Sequence, residues 1–175
     1  LYIFGSYPKN EQWRAALWFA YIFSLSFITL VPIRLNLVKK ILPCLWVSIV
    51  PLGIYLLGGG FGLSPISTRS WGGILLTLML TSCSASIALP LGIILALGRQ
   101  SNLKLIQSIC RVYIDLMRSI PLITVLFFGQ LLIPLFLPID YEINRFFRAV
   151  LAFGLFAASY VAEDIRGGLQ SIPST

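Results

Sequence analysis

An all-α, polytopic transmembrane helical bundle is the fold class that this 175-residue sequence predicts, and three observations predict it. Hydrophobic residues fill 58% of the positions and charged residues only 11%, with a mean hydropathy of +0.91, more apolar surface than a water-soluble domain of this length can bury. Uncharged stretches long enough to cross hydrocarbon about 30 Å thick, which takes roughly 20 helical residues, recur along the chain. Basic residues gather at the ends of those stretches rather than in one tract, so the net charge of +7 reads as membrane orientation and not as nucleic-acid binding. About five spans are expected, at 15–33, 41–57, 72–97, 121–137 and 146–162. Histidine is absent, and Cys44, Cys83 and Cys110 show no CxxC spacing, so a metal site or disulfide framework is not expected.

The first two spans, with few polar atoms, form an accessory N-terminal segment over residues 1–57. The chain begins at Leu1 without a basic leader and cleavage site, so its first apolar run is expected to remain in place and the chain to be a piece of a longer one. A glycine-rich loop, 58–71, carries Gly58, Gly59, Gly60 and Gly62 and leads to Trp71, an interfacial anchor. In the third span Thr77, Thr81 and Ser84 follow one another at steps of four and three, a polar stripe on one helical face. Such hydroxyls either line a solute path or hydrogen-bond across a helix contact. Pro90 is expected to kink this helix, and Gly92 to leave room for a neighbour.

Between Arg99 and Arg118 the apolar positions Leu103, Ile106, Cys110, Tyr113, Ile114 and Met117 recur at helical spacing, which predicts an amphipathic helix at the interface, with Asp115 and Arg118 spaced to pair. Pro121 is expected to end or kink it. The fourth span carries one strongly polar side chain, Gln130, open to two readings: substrate contact or a structural hydrogen bond. Asp140, Glu142, Arg145 and Arg148 then make a mixed-sign turn. The fifth span leaves the bilayer at Glu163, Asp164 and Arg166, and Gly167-Gly168 are expected to break the helix.

Placing the 34–40 loop in the cytoplasm also puts 98–120 and the tail after Asp164 there. Of the 13 Lys and Arg, this leaves Arg34, Lys39, Lys40, Arg99, Lys104, Arg111, Arg118 and Arg166 inside, against Lys9, Arg14, Arg69, Arg145 and Arg148 outside. The bias favours that orientation, with the opposite one as the alternative.

Three phrases, in order, resemble the permeases of polar amino-acid ABC importers: Trp71-Gly72-Gly73 with Thr77, Arg118-Ser119-Ile120-Pro121-Leu122, and Tyr160 through Glu163, Arg166, Gly167, Gly168, Leu169, Gln170, Ser171, Ile172 and Pro173. Ser119 stands where the family usually has glycine. Phe4-Gly5-Ser6-Tyr7-Pro8, with Glu11, Trp13 and Arg14, is similar to the branch associated with general L-amino-acid uptake. The resemblance implies that 72–175 is the N-terminal part of a permease core, ending before its cytoplasmic coupling helix. It implies a bacterial inner-membrane subunit that binds no cofactor itself and works with ATPase subunits that use ATP, a second permease subunit and a periplasmic amino-acid-binding protein. On this resemblance and on charge type, Thr77, Ser84, Arg118, Gln130 and Glu163 are candidates for the substrate path, with Glu163 attracting a substrate ammonium and Arg118 its carboxylate. Arg166, Gly167, Gly168, Gln170 and Pro173 belong to the motif next to the coupling region. The sequence has no GxxxxGK[ST] phosphate loop and no catalytic constellation, so it is not expected to be an enzyme. The alternative is a secondary transporter or channel subunit uncoupled from ATP.

Overall fold

The computed structural model of the chain describes residues 2–31, 36–60, 62–138 and 143–171. Six α-helices account for most of them: α1 Gln12–Leu30, α2 Asn36–Gly58, α3 Gly73–Arg99, α4 Lys104–Ser119, α5 Leu122–Leu135 and α6 Arg145–Gln170. Among the described residues there is no strand, only the isolated bridges Gly5–Trp71 and Gly60–Leu63. The chain divides into two compact units, Leu1–Ser82 and Cys83–Thr175, with α3 beginning in the first and ending in the second.

Among the described residues, four segments are long and apolar enough to cross a membrane: Lys9–Leu30, Lys40–Gly58, Gly73–Arg99 and Arg145–Gln170. The fourth expected span, 121–137, does not qualify alone. Its helix α5 has 14 residues, which at 1.5 Å each reach about 21 Å, short of the bilayer core. It meets the requirement only together with α4, across a bend of 105° at Ile120-Pro121. The cause is local: proline has no amide to donate and pushes Ile120 out of the helical region, to φ −95° and ψ 136°.

Within the first unit, α1 and α2 form an antiparallel pair, read directly from hydrogen bonds whose partners run in opposite directions. Tyr7 Oη donates to Leu57 O, Trp18 Nε1 to Ile49 O at 3.0 Å and Tyr21 Oη to Leu45 O; the long Trp46 side chain adds a bond from Nε1 to Thr29 Oγ1. Trp18 is fully buried. Gly53 makes room for it, since a Cβ there would lie 2.6 Å from Trp18 Nε1.

The N-terminal segment ends the first unit's bookkeeping of backbone groups at α3. A helix start leaves amides without intrahelical acceptors; here Ile74 N and Leu75 N donate to Tyr2 O and Ile3 O at 3.1 and 3.0 Å. Gly73 permits this close approach with φ +58°. Nearby, the buried Arg14 reaches Glu11 Oε2 through Nε at 2.8 Å and donates to both the carbonyl and the hydroxyl of Ser64 at 2.9 Å. Ser64 Oγ in turn donates to Glu11 Oε1. Ser64→Ala removes two of these bonds and is expected to cost about 1–2 kcal/mol, measured as a lower melting temperature of the purified chain. Unchanged melting would mean that the Ser64 carbonyl contact alone holds the loop.

In the second unit, Ala88, Leu95 and Ala96 of α3 pack with Cys110 and Ile114 of α4 and Ala158 and Ala162 of α6. Small residues let backbones approach where no hydrophobic force separates helix from lipid. Gly92 lies against Val161, and Gly154 against Ile87. Around α5, Ile123, Phe127, Leu131 and Leu135 remain exposed at steps of four, one apolar stripe available to lipid.

The helix α6 runs through Gly167 and Gly168 to Gln170, so the expected break there does not occur. Each glycine disfavours a helix by about 1 kcal/mol without forbidding it. Ser171 N still donates to Gly167 O at 3.2 Å, and Arg166 holds Glu163 one turn back, keeping this end wound.

Candidate functional site

Three helix ends of the second unit meet at one carboxylate. Arg99 closes α3, Arg118 sits in the last turn of α4, and Glu163 lies near the end of α6, each where an apolar run gives way to polar residues. Arg99 Nη1 donates to Glu163 Oε1. Arg166 donates to Glu163 Oε2 through Nε at 3.1 Å and Nη2 at 2.9 Å, the i,i+3 pairing of one helix face. Arg118 Nη1 lies 3.4 Å from the same oxygen. The Arg118 guanidinium also stands over the Tyr160 ring, 5.5 Å from its centroid, a favourable placement of a cation on an aromatic face.

The side chains of Glu163 and Arg99 are only 15% and 18% exposed, while Arg118 is 41% exposed. Glu163 is therefore surrounded by cations, and Arg118 keeps one side open. Asp115 does not pair with Arg118 as the spacing alone suggests; it lies 3.8 Å from Arg99. The α4 backbone carries Arg118 toward α6 and leaves Asp115 facing the end of α3.

Beside this node is an open polar recess of about 500 Å³, lined by Arg99, Gln100, Gln107, Arg111, Arg166, Leu169 and Gln170. Arg166 and Gln170, expected on motif grounds, thus line a cavity. Gly167 and Gly168 have open space where a Cβ would be. Pro173 lies outside the described residues, as do Asp140, Glu142 and Arg34.

The remaining candidates bond elsewhere than at Glu163. Thr77 is exposed, belongs to the first unit, and donates to Gly73 O within its own helix at 3.2 Å. Ser84 is buried and donates to Val150 O at 3.3 Å, tying α3 to α6. The Gln130 amide donates to Arg145 O at 3.0 Å, and Arg148 Nη1 returns a bond to Gln130 O at 2.8 Å. Both polar groups satisfy backbone acceptors across helix contacts.

Arg99, Tyr160 and the recess residues Gln107 and Arg111 were not among the sequence candidates. Arg99 and Glu163 are 64 positions apart, and no spacing rule links residues at that separation. Among the described residues no group of three or more Cys, Asp or Glu is arranged to hold a metal ion.

No family model matches the chain. Named relatives do. The inner membrane amino-acid ABC transporter permease protein YhdY of Escherichia coli strain K12 is 37% identical over 180 residues, covering 98% of this chain and 47% of that protein. The glutamate/glutamine/aspartate/asparagine transport system permease protein BztC of Rhodobacter capsulatus is 42% identical over 111 residues, covering 63% of this chain and 26% of that protein. Among solved structures, a crystal structure of an amino acid ABC transporter with histidines superposes with a TM-score of 0.52 at 30% identity, covering 57% of this chain and 45% of that one. The chain spans about half the length of YhdY or less of the other relative. Its all-α membrane architecture and its similarity along nearly its whole length to YhdY agree with the three sequence phrases: the chain belongs to the amino-acid ABC transporter permeases.

Proposed function

We propose that this chain is part of the membrane-spanning subunit of an ATP-driven amino-acid importer in a bacterial inner membrane. The observation that carries the reading is the 37% identity to an amino-acid ABC permease across 98% of the chain. Substrate would come from a periplasmic amino-acid-binding protein, a second permease subunit would complete the path, and separate ATPase subunits would supply the energy. The chain itself would carry no cofactor. ATP binding and hydrolysis would bias states of different solute affinity, which is what converts a path into a pump.

Within that reading, residues 1–57 form the accessory segment, 58–71 a periplasmic loop, and 72 onward the permease core. The path is assigned to the polar faces carrying Thr77, Ser84, Arg118, Gln130 and Glu163. Their bonding supports different parts within it. Arg118, half open and resting on Tyr160, has free donors for a substrate carboxylate. Glu163, already holding three guanidiniums, acts chiefly by positioning Arg118 and the ends of α3 and α6. Ser84 and Gln130 set helix spacing along the path through their backbone bonds. Arg166, Gly167, Gly168, Gln170 and Pro173 are assigned to the approach to the ATPase-coupling region.

Proteoliposomes containing the complete permease with its partner subunits test the function. Uptake of a labelled amino acid should require ATP on the ATPase side and survive collapse of ion gradients. Uptake that follows an ion gradient without ATP would instead establish a secondary transporter. Arg118→Lys keeps the charge but loses the planar fork, and is expected to raise the uptake KM roughly tenfold, as removing a charge-assisted bond does. An unchanged KM would remove Arg118 from the path.

A further inference from the structure

The recess beside the node is lined by cationic and amide side chains, with no carboxylate in the lining. Arg99, Arg111 and Arg166 face it, no carboxylate lines it, and Gln107 and Gln170 add amide donors. Glu163 and Asp115 engage Arg99, Arg118 and Arg166 from behind. Asp164, exposed on the same turn of α6, does not line the cavity. Counted with the neighbouring Arg118 and Asp164, four guanidiniums stand against three carboxylates, an excess of one positive charge. Arg111 is exposed and has no ion-pair partner among the described residues.

The helix that carries Arg111 and Gln107 narrows which anion such a lining suits. Along α4, Leu105, Ile109, Val112 and Leu116 form an exposed apolar arc, while Lys104, Gln107, Arg111, Asp115 and Arg118 form the polar arc. Such a helix lies in the membrane interface with its apolar arc among acyl chains and its polar arc at the level of the headgroups. The sharp bend between α4 and α5 is what allows α4 to leave the direction of a spanning helix. We propose that the recess binds the phosphate of an anionic phospholipid in the adjoining leaflet, which is the cytoplasmic one in the orientation favoured by the basic residues. The ligand chemistry is a phosphate oxyanion held by fork-shaped guanidiniums. The site is independent of which solute the permease carries.

The purified full chain, stripped of lipid in detergent, tests this by titration with phosphatidylglycerol or phosphatidylcholine and detection of retained lipid by native mass spectrometry. The wild type is expected to retain phosphatidylglycerol preferentially, and Arg111→Gln to lower that preference more than about tenfold, as loss of a charge-assisted bond to phosphate does. Lys104→Gln, which removes an exposed cation of the same helix outside the recess, is expected to lower it by less, at most the roughly fivefold of an unbonded interfacial cation. If Arg111→Gln does not purify in folded form, Arg111→Lys gives the same comparison with a smaller drop. Inorganic phosphate that stabilises the chain without lipid, in an Arg111-dependent way, would support the oxyanion site but identify a soluble source. Equal retention of both lipids, with no response to phosphate, overturns the proposal. So does an equal loss in the Arg111 and Lys104 variants.

Discussion

Glu163→Gln is expected to loosen the junction of α3, α4 and α6 more than any other single-atom change in the chain. The amide keeps the shape but removes the charge on which Arg99, Arg118 and Arg166 converge. Three guanidiniums then face one another with only Asp115, 3.8 Å from Arg99, to compensate them. Removing one partner from a fully buried ion pair costs about 3–5 kcal/mol; the partial exposure of this node reduces the expected loss to about 2–3 kcal/mol. The measurement is a double-mutant cycle on melting of the purified chain. Arg99→Gln alone should also destabilise, while the double variant should lose clearly less than the two single losses together. Strict additivity would mean that the two side chains do not interact, and the node would lose its central contact. Because Arg118 is held by the same carboxylate, uptake by the Glu163→Gln complex should fall with the KM effect of the Arg118 variant contained in it.

Gly92→Leu is expected to separate α3 from α6. The Cβ alone would lie 2.6 Å from Val161 Cγ1 and 3.1 Å from the Ala158 carbonyl oxygen. Helix backbone cannot yield locally, so the two helices must move apart, and contacts of Ala88, Ala158 and Ala162 are lost with them. Overpacking of this sort costs about 1–3 kcal/mol and more when backbone obstructs it. The upper end is expected here, seen as reduced melting temperature and reduced yield of folded chain. Gly92→Ala should do less harm, and Val161→Ala should restore part of its loss by withdrawing the methyl groups that it strikes. A Gly92→Leu chain that melts like the wild type would show that α3 and α6 do not pack through this glycine.

Composition made the fold class legible, because hydrocarbon-length runs free of charge have few other solutions. Gly92 was legible as a place of close approach because a glycine beside Pro90 inside an apolar helix has little other use. The hydroxyl of Ser84 was legible only as one of two readings, since spacing gives the face of a helix but not what covers it; the bond to Val150 O supplies that. The bend at Pro121 was visible, but the run 121–137 looked like a full span because its apolar residues continue past Leu135, where α5 stops being regular. The wound end of α6 differs for the opposite reason: two glycines predict a break locally, but they weaken a helix by only about 2 kcal/mol together, and its backbone bonds continue as far as Ser171 N. The node itself was half legible. Glu163 and Arg118 stood out as charges at the ends of apolar runs, but Arg99 became a partner only through the packing of Gly98 against Cys110, which sets the end of α3 beside α4.

The shortness of α5 bears on how the chain is made as well as on how it rests. A segment of 14 residues emerging from a ribosome has too little apolar length to be retained in a bilayer on its own. Its fixed position depends on α6, which follows it in synthesis and meets it through Gln130, Arg145 and Arg148. Insertion of α5 is therefore expected to depend on a neighbour, α4 before it or α6 after it, rather than on its own length.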